Sequence, residues 1–350
     1  MVQHHRMNIF TSTAMKNMEN KMNGLNKYNS LFIALVTLLF INVVRANILF
    51  SHEGDSIFYD AANNKYTLTY TGDDGRINEI TWTPPSDISV EVEAKYKFQK
   101  DGNIEYSYEI KVDNSSNQPL TAFRIYTIAD YEPILKTPDN WKVILRDSFA
   151  ENDPGKWVNW YTSTSPVEQG SDIDGFEIVS MALPVYDGAY TEGQSGIITF
   201  PDYGPNHETQ MYWQDNIVAK HFMGKSINTA APLIPIYSPP NIIQTYAAFH
   251  DSLLEYIEKK YIDESISQNI TETSIEILSA LSNNLTSDAL IKLKELHQLI
   301  EGVDGTHDTK KEKDSTNKNK MPLINKEVRK IIKFNIKYFM HQLKDNSSFD

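Results

Sequence analysis

With no cysteine anywhere in its 350 residues, the chain has no thiol nucleophile, no disulfide and no thiolate metal ligand. Any chemistry falls to hydroxyls, imidazoles and carboxylates. The hydroxyl candidate is Ser195 in Gly193-Gln194-Ser195-Gly196, one residue short of the Gly-x-Ser-x-Gly elbow that presents a catalytic serine at a strand-to-helix turn. Here it sits in a polar turn ahead of a strand. Histidines beyond the leader (His52, His207, His221, His250, His297, His307, His341) are scattered, with no i, i+4 pair to place two imidazoles on one metal. The glycine patterns that cradle phosphates or dinucleotides are absent from the sequence. Among carboxylates, Asp172, Asp174 and Glu177 flank Gly175 as the opening of a calcium loop does, because a hard cation takes several oxygens from a glycine-permitted turn. The spacing of an EF-hand is missing, and the same residues also read as the entry to a strand. Calcium at these three residues is the one cofactor expectation.

Aromatic side chains carry a stronger binding signal. The chain has 19 tyrosines and five tryptophans, and Lys156-Trp157-Val158-Asn159-Trp160-Tyr161 places Trp157, Asn159 and Tyr161 on one face of a strand and Val158 and Trp160 on the other. If Val158 and Trp160 face the core, Trp157 and Tyr161 form a flat platform of the kind that stacks on sugars or on a protein, with Asn159 between them. The alternative is that these rings cover the rim of a sandwich.

The N-terminus reads as an address. Leu31 to Val44 is an apolar run preceded by Lys16, Lys21 and Lys27 and followed by Val44-Arg45-Ala46, which makes a secretory signal cleaved after Ala46. The run is shorter than the roughly 20 residues that span a bilayer comfortably. Initiation at Met15 or Met22 gives a leader of conventional length. The protein is therefore expected to be secreted or periplasmic, or else membrane-tethered by an uncleaved leader. Removing the leader takes away five basic groups and one acid, which carries the formal charge from −13 to −17. Such a surface disfavours nucleic acid, whose affinity for proteins rests on Lys and Arg.

The elements that must position these residues follow from hydrophobic period. From 47 to 231 the period is two. Val90, Val92, Ala94, Tyr96 and Phe98 alternate with charges, Lys100-Asp101-Gly102-Asn103 turns the chain, and Ile104 to Val112 alternates again as the return strand of a long hairpin. Further strands are expected at 66–70, 80–83, 123–128, 141–145, 158–162, 176–181, 197–200 and 211–213. Short strands without helices between them predict an all-β, immunoglobulin-like antiparallel β-sandwich. Pro232, Pro235, Pro239 and Pro240 then predict a stiff linker over 232–245. A small all-α helical module follows over 246–302, with stripes Phe249/Leu253/Tyr256/Ile257, Ile275/Leu278/Leu281/Leu285 and Leu290/Leu293/Leu296/Ile300 and a capping box at Thr273 and Glu276. Residues 303–320 are polar and read as a disordered loop. The segment 321–350 forms a basic amphipathic helix with Val328, Ile332, Ile336, Phe339 and Leu343 on one side. That helix packs on the other three, or lies on anionic lipid or an acidic partner.

The segment from Asn64 to Trp213 resembles a group of uncharacterised bacterial secreted proteins. Pro138-Asp139-Asn140-Trp141 looks like their Pro-x-x-Trp turn, Gln169-Gly170-Ser171-Asp172-Ile173-Asp174-Gly175-Phe176 like their Pro-Gly-x-Ser-Leu-x-Gly-Phe stretch, Leu183-Pro184 like their Leu-Pro, and Gly224-Lys225-Ser226 like their closing Gly-Lys-Thr. Gln169 departs from the usual proline, and Asp172 and Ile173 depart in part from the Ser-Leu order. Ser252 to Leu343 is similar to a FIMAH-like C-terminal helical module. The resemblance implies a sandwich followed by helices and no activity. The sequence thus points to an exported, non-catalytic binding or structural protein of the cell envelope or beyond it, with a carbohydrate or protein surface as ligand. The alternatives are a carbohydrate-active hydrolase with an unplaced carboxylate pair, and a self-assembling scaffold. N-terminal sequencing of the exported chain is expected to read Asn47 as its first residue; a product starting upstream of the apolar run would mean the tethered form.

Overall fold

The structure, a computed structural model, describes residues 46–128, 134–148, 155–196, 200, 204–222, 224–237, 241–302 and 323–346. The leader up to residue 45 and the polar stretch 303–320 lie outside the described residues, as do 197–199 of one expected strand. Among the described residues the first two-thirds of the chain is antiparallel strand and the last third is helix. The described residues divide into two compact units, one drawn from those up to Thr83 and within Gly196–Ala219, the other from those within Pro84–Ser195 and from Lys220 onward.

In the first unit, β1 (Ala46–His52), β2 (Asp55–Asp60), β3 (Lys65–Thr71) and β4 (Ile77–Trp82) form a four-stranded meander. Ile57, Tyr66, Leu68, Tyr70 and Trp82 turn to one face. A helix, α1 (His207–Trp213), continued by a π-helical turn over Gln214–Val218, lays Trp213 and Ile217 on that face. Asn206 caps α1 by accepting from the Thr209 N–H at 2.8 Å, and its own N–H donates to the buried Asp55 carboxylate at 2.8 Å. The strand expected at 211–213 is therefore helix. Thr209, Trp213 and Ile217 are buried at a spacing of four, a stripe too long for a three-residue window to reveal.

The second unit holds β5 (Val90–Phe98), β6 (Ile104–Val112), β7 (Leu120–Thr127), β8 (Ile134–Lys136), β9 (Lys142–Asp147), β10 (Lys156–Tyr161), β11 (Asp172–Ser180), β12 (Ala182–Gly193) and β13 (Lys225–Pro235). They form a five-stranded sheet ordered β13-β12-β7-β10-β9 and a four-stranded sheet ordered β5-β6-β11-β8. The two face each other through rings: Phe176 of the four-stranded sheet meets Phe123 edge-on at 5.5 Å and Trp160 edge-on at 5.6 Å, and Tyr108 is 6.3 Å from Trp160. The β5–β6 hairpin has the expected bounds, and Gly102 takes φ +86° in its turn. The β-sandwich expected over 47–231 is smaller than that span, because 47–83 belong to the meander.

Of the linker expected over 232–245, Pro239 and Pro240 lie outside the described residues, and most of the rest is strand and helix. Pro232 and Pro235 lie within β13, the edge of its sheet, where a residue without an N–H costs no ladder bond on the open side. Helix α2 (Ile242–Glu258) is capped by the Asn241 side chain accepting from the Gln244 N–H at 3.1 Å. Then come α3 (Glu264–Ser282), α4 (Thr286–Gly302) and α5 (Lys326–Asn346). α3 is capped by Asp263, so Thr273 lies mid-helix and is no cap. Ile266, Ile270, Ser274 and Ile277 form the buried stripe, whereas Ile275 and Leu285 are exposed.

The helices are not a separate module over 246–302. One continuous apolar core runs from Tyr106, Phe123 and Trp160 through Tyr246, Phe249, Leu296 and Phe339. Polar groups anchor the same junction: the Tyr186 N–H of β12 donates to the Tyr256 hydroxyl of α2 at 2.7 Å, and the Asn335 amide of α5 donates to the Pro184 carbonyl at 3.0 Å. The apolar side of α5 is spent in this core, with Val328, Ile332, Ile336 and Phe339 fully buried. That rules against the reading in which this side lies on lipid. No helix among the described residues is long and apolar enough to cross a membrane. A chain ending at residue 240 exposes the sheet face that the helices cover. It is expected to lose near-UV dichroism and cooperative unfolding; a two-state melt of that fragment would show that the helices are dispensable.

Candidate functional site

The outer face of the five-stranded sheet is set by pairing register. Val158 and Trp160 are fully buried, so Trp157, Asn159 and Tyr161 point away from the core. β10 pairs with β7 so that Trp157 lies opposite Tyr126 and Asn159 opposite Arg124, and β12 brings Tyr190 opposite Arg124 on the far side. Trp157 is half-buried between two rings, Tyr126 at 5.1 Å and Tyr190 at 5.4 Å, tilted by 50° and 63°. Gly155 is required beneath this group, since a Cβ there would fall on the Tyr126 hydroxyl. Trp157 and Tyr161 are therefore no flat platform: Trp157 is clamped edge-on, and Tyr161 is half-buried beside Ala122.

Arg124 organises the centre of the face. Its guanidinium forms an ion pair with Glu192, its Nε donates to the Asn159 carbonyl oxygen at 3.3 Å, and a further N–H donates to the Phe222 carbonyl at 3.2 Å. The Phe222 ring, itself exposed, lies 5.8 Å from the guanidinium in a cation–π contact. Asn159 is buried, so it acts as support for Arg124 and not as a ligand contact. Burial pushes the Glu192 carboxyl above its usual range, and the Arg124 guanidinium beside it opposes that rise. Gly224, at φ +75°, lets the chain pass close to Thr191 and Glu192. Arg124, Glu192, Tyr126 and Tyr190 were missed in the sequence. The alternation of β7 shows which face Arg124 takes, but its partners depend on a register that sequence alone does not supply.

The carboxylates considered for calcium lie in the opposite sheet. Ile173 pairs with Ile110 and Phe176 with Tyr108, so Asp174 and Gly175 together oppose Glu109 in a bulge, with Gly175 at φ +88°. Asp172 and Asp174 are exposed there at an open hollow of about 570 Å³ shared with Glu109 and Asp139. Glu177 turns instead to Lys136, and Glu109 to Lys95 at 3.1 Å. The expected trio Asp172, Asp174 and Glu177 does not converge. Among the described residues no group of three His, Asp or Glu side chains is placed to hold a metal ion.

No protein-family model and no curated protein matches the chain. A solved structure of an uncharacterized protein from Nocardia farcinica, described as having an immunoglobulin-like fold, is similar over 33% of this chain and 88% of its own, at 13% identity and a TM-score of 0.24. A likeness that slight carries no argument about function.

The buried pair gives a test of how this face is held. Arg124→Met leaves the Glu192 carboxylate without its counter-charge and is expected to cost about 3 kcal/mol of stability at pH 7. Without the guanidinium the carboxyl rises further, so the folded state binds a proton that the unfolded state has lost. The deficit should therefore shrink as pH falls through the carboxylate range. Arg124→Met with Glu192→Leu should recover most of it in denaturant titrations, whereas equal loss in both variants would mean that the pair contributes packing alone.

Proposed function

We propose that the chain is an exported, non-catalytic protein-binding module, and that the outer face of the five-stranded sheet recognises its partner. One observation carries this reading: Trp157, Tyr126 and Tyr190 are locked against one another around a central Arg124. Tryptophan, tyrosine and arginine are the residues that dominate binding energy at protein interfaces, and rings already held in place lose little rotamer freedom on binding. Sugar stacking wants an open, flat ring face. The tilt of the two tyrosines against Trp157 supports a protein surface over a glycan. Phe222, exposed at the rim, adds apolar area next to the central charge.

The full exported chain, immobilised, should capture a partner saturably from the extracytoplasmic protein fraction of its source. Trp157→Ala should weaken capture at least tenfold, about 1.4 kcal/mol, while the thermal midpoint stays within a few degrees. Retention of polysaccharide in place of protein would transfer the face to glycan binding. Turnover of a polysaccharide panel would overturn the non-catalytic reading altogether.

A further inference from the structure

The aromatic face has a charged border whose sign is opposite to that of the chain. β9 is the edge of the five-stranded sheet, and its pairing with β10 sets Arg146 opposite Trp157, Ile144 opposite Asn159 and Lys142 opposite Tyr161. Residues directly opposite in an antiparallel pair share a face. Lys142 and Arg146 therefore stand on the outer side with the rings, while Val143 and Leu145 pack against the core and Asp147 takes the other side, opposite Lys156.

Both cations are exposed, and neither has an ion-pair partner among the described residues. At the ordinary rise of a strand they lie about 13 Å apart. On the outer side of these paired strands the one carboxylate is Glu192, and Arg124 already neutralises it. The charge of Arg146 also reaches Glu192 and opposes the rise that burial causes. Arg124, Lys142 and Arg146 thus face a single carboxylate on a chain whose formal charge is −13. Charge on an edge strand also discourages pairing between copies, but either sign serves that end. Here both charges are positive, and both stand beside rings. Charges at the rim of an aromatic centre select a partner, because they are matched or opposed at contact.

We propose, resting on the reading of this face as a protein-binding surface, that its partner presents an acidic patch whose carboxylates meet Lys142 and Arg146 while apolar groups cover Trp157 and Tyr161. The overall charge of the chain opposes such a partner at a distance. At physiological ionic strength a Debye length of about 8 Å confines that repulsion, so pairs at contact decide. A basic partner would leave Lys142 and Arg146 against like charge. A second copy would set the same two cations against their own kind about the symmetry axis or leave them unmatched.

The full exported chain is titrated, from physiological salt upward, with a random glutamate–tyrosine copolymer, a lysine–tyrosine copolymer and dextran sulfate, and its self-association is followed by sedimentation. Lys142→Glu/Arg146→Glu reverses the border, and Trp157→Ala removes the ring. Lys111→Glu/Lys294→Glu, at exposed positions of β6 and α4, makes the same change of charge elsewhere. The glutamate copolymer is expected to bind with an affinity that falls as salt rises. Binding should weaken at least tenfold in the border variant and in Trp157→Ala, and less than twofold in Lys111→Glu/Lys294→Glu. Equal loss in both charge variants would reduce the border to overall charge and overturn the acidic partner. So would preference for the lysine copolymer, binding of dextran sulfate that survives Trp157→Ala, a dimer abolished by the border variant, or no binding of the glutamate copolymer at all. Capture from the extracytoplasmic fraction separates the two readings. Capture lost with Trp157→Ala but kept with Lys142→Glu/Arg146→Glu leaves protein binding standing and refutes the acidic partner, whereas capture indifferent to Trp157→Ala refutes both.

Discussion

Two tyrosine hydroxyls on β6 determine how the sandwich closes. Tyr106 and Tyr108 are fully buried, and each must find an acceptor across the core: Tyr106 donates to the Ala182 carbonyl at 2.5 Å and Tyr108 to the Ala230 carbonyl at 3.0 Å. A buried hydroxyl left without a partner costs about 1–3 kcal/mol, which disfavours any sliding of one sheet over the other. The acceptors sit on β12 and β13, the strands on which the helices dock. Sheet spacing, helix docking and the position of the outer face thus depend on two bonds between apolar surfaces that would otherwise tolerate sliding. Burial raises both phenols well above their ordinary range, so they stay donors throughout the working pH span.

Legibility in the sequence followed how local each signal was. The β5–β6 hairpin could be read to the residue because alternation and a glycine turn lie within 23 consecutive positions. β12 and β13, the two longest strands, were invisible: Ala182–Gly193 contains Pro184 and Asp187-Gly188, and Lys225–Pro235 ends in two prolines, the composition of turns. Both are strands because β12 is paired on two sides and β13 tolerates proline at an edge, and both are facts of tertiary pairing. The second helical stripe was misplaced for a related reason. Ile270 and Ile277 take the buried side of α3 with Ser274 between them, and a hydrophobicity pattern gives no weight to a serine that bonds to Tyr246 and His250.

The candidate site was half legible on the same principle. Which side of β10 faces out follows from Val158 and Trp160 alone. What stands beside Trp157 does not, because Tyr126 and Tyr190 are 31 and 33 positions away and meet it only through register. Arg124 makes the difference between a row of rings and an organised face. Its guanidinium touches groups from β10 and β12, the two strands that flank β7, together with Phe222. A buried ion pair is a poor stabiliser against apolar residues of the same volume. Its physical effect here is directional, holding three neighbouring segments in one arrangement that a methionine and a leucine would leave free to repack.

α5 shows how one helix can serve two solvents. Its buried side, including Asn335 bound to the Pro184 carbonyl, is required by the core, so the helix cannot leave without unfolding the unit. Its other side is consequently fixed in place, with Lys330 held by Glu327 at 2.9 Å and Lys333 by Glu301 at 2.8 Å. An edge as long and regular as β5 would ordinarily invite pairing between copies. Two features oppose that outcome: exposed Glu91, Glu93, Lys95 and Lys97 alternate along the strand, and the overall charge of −13 repels copies at distance.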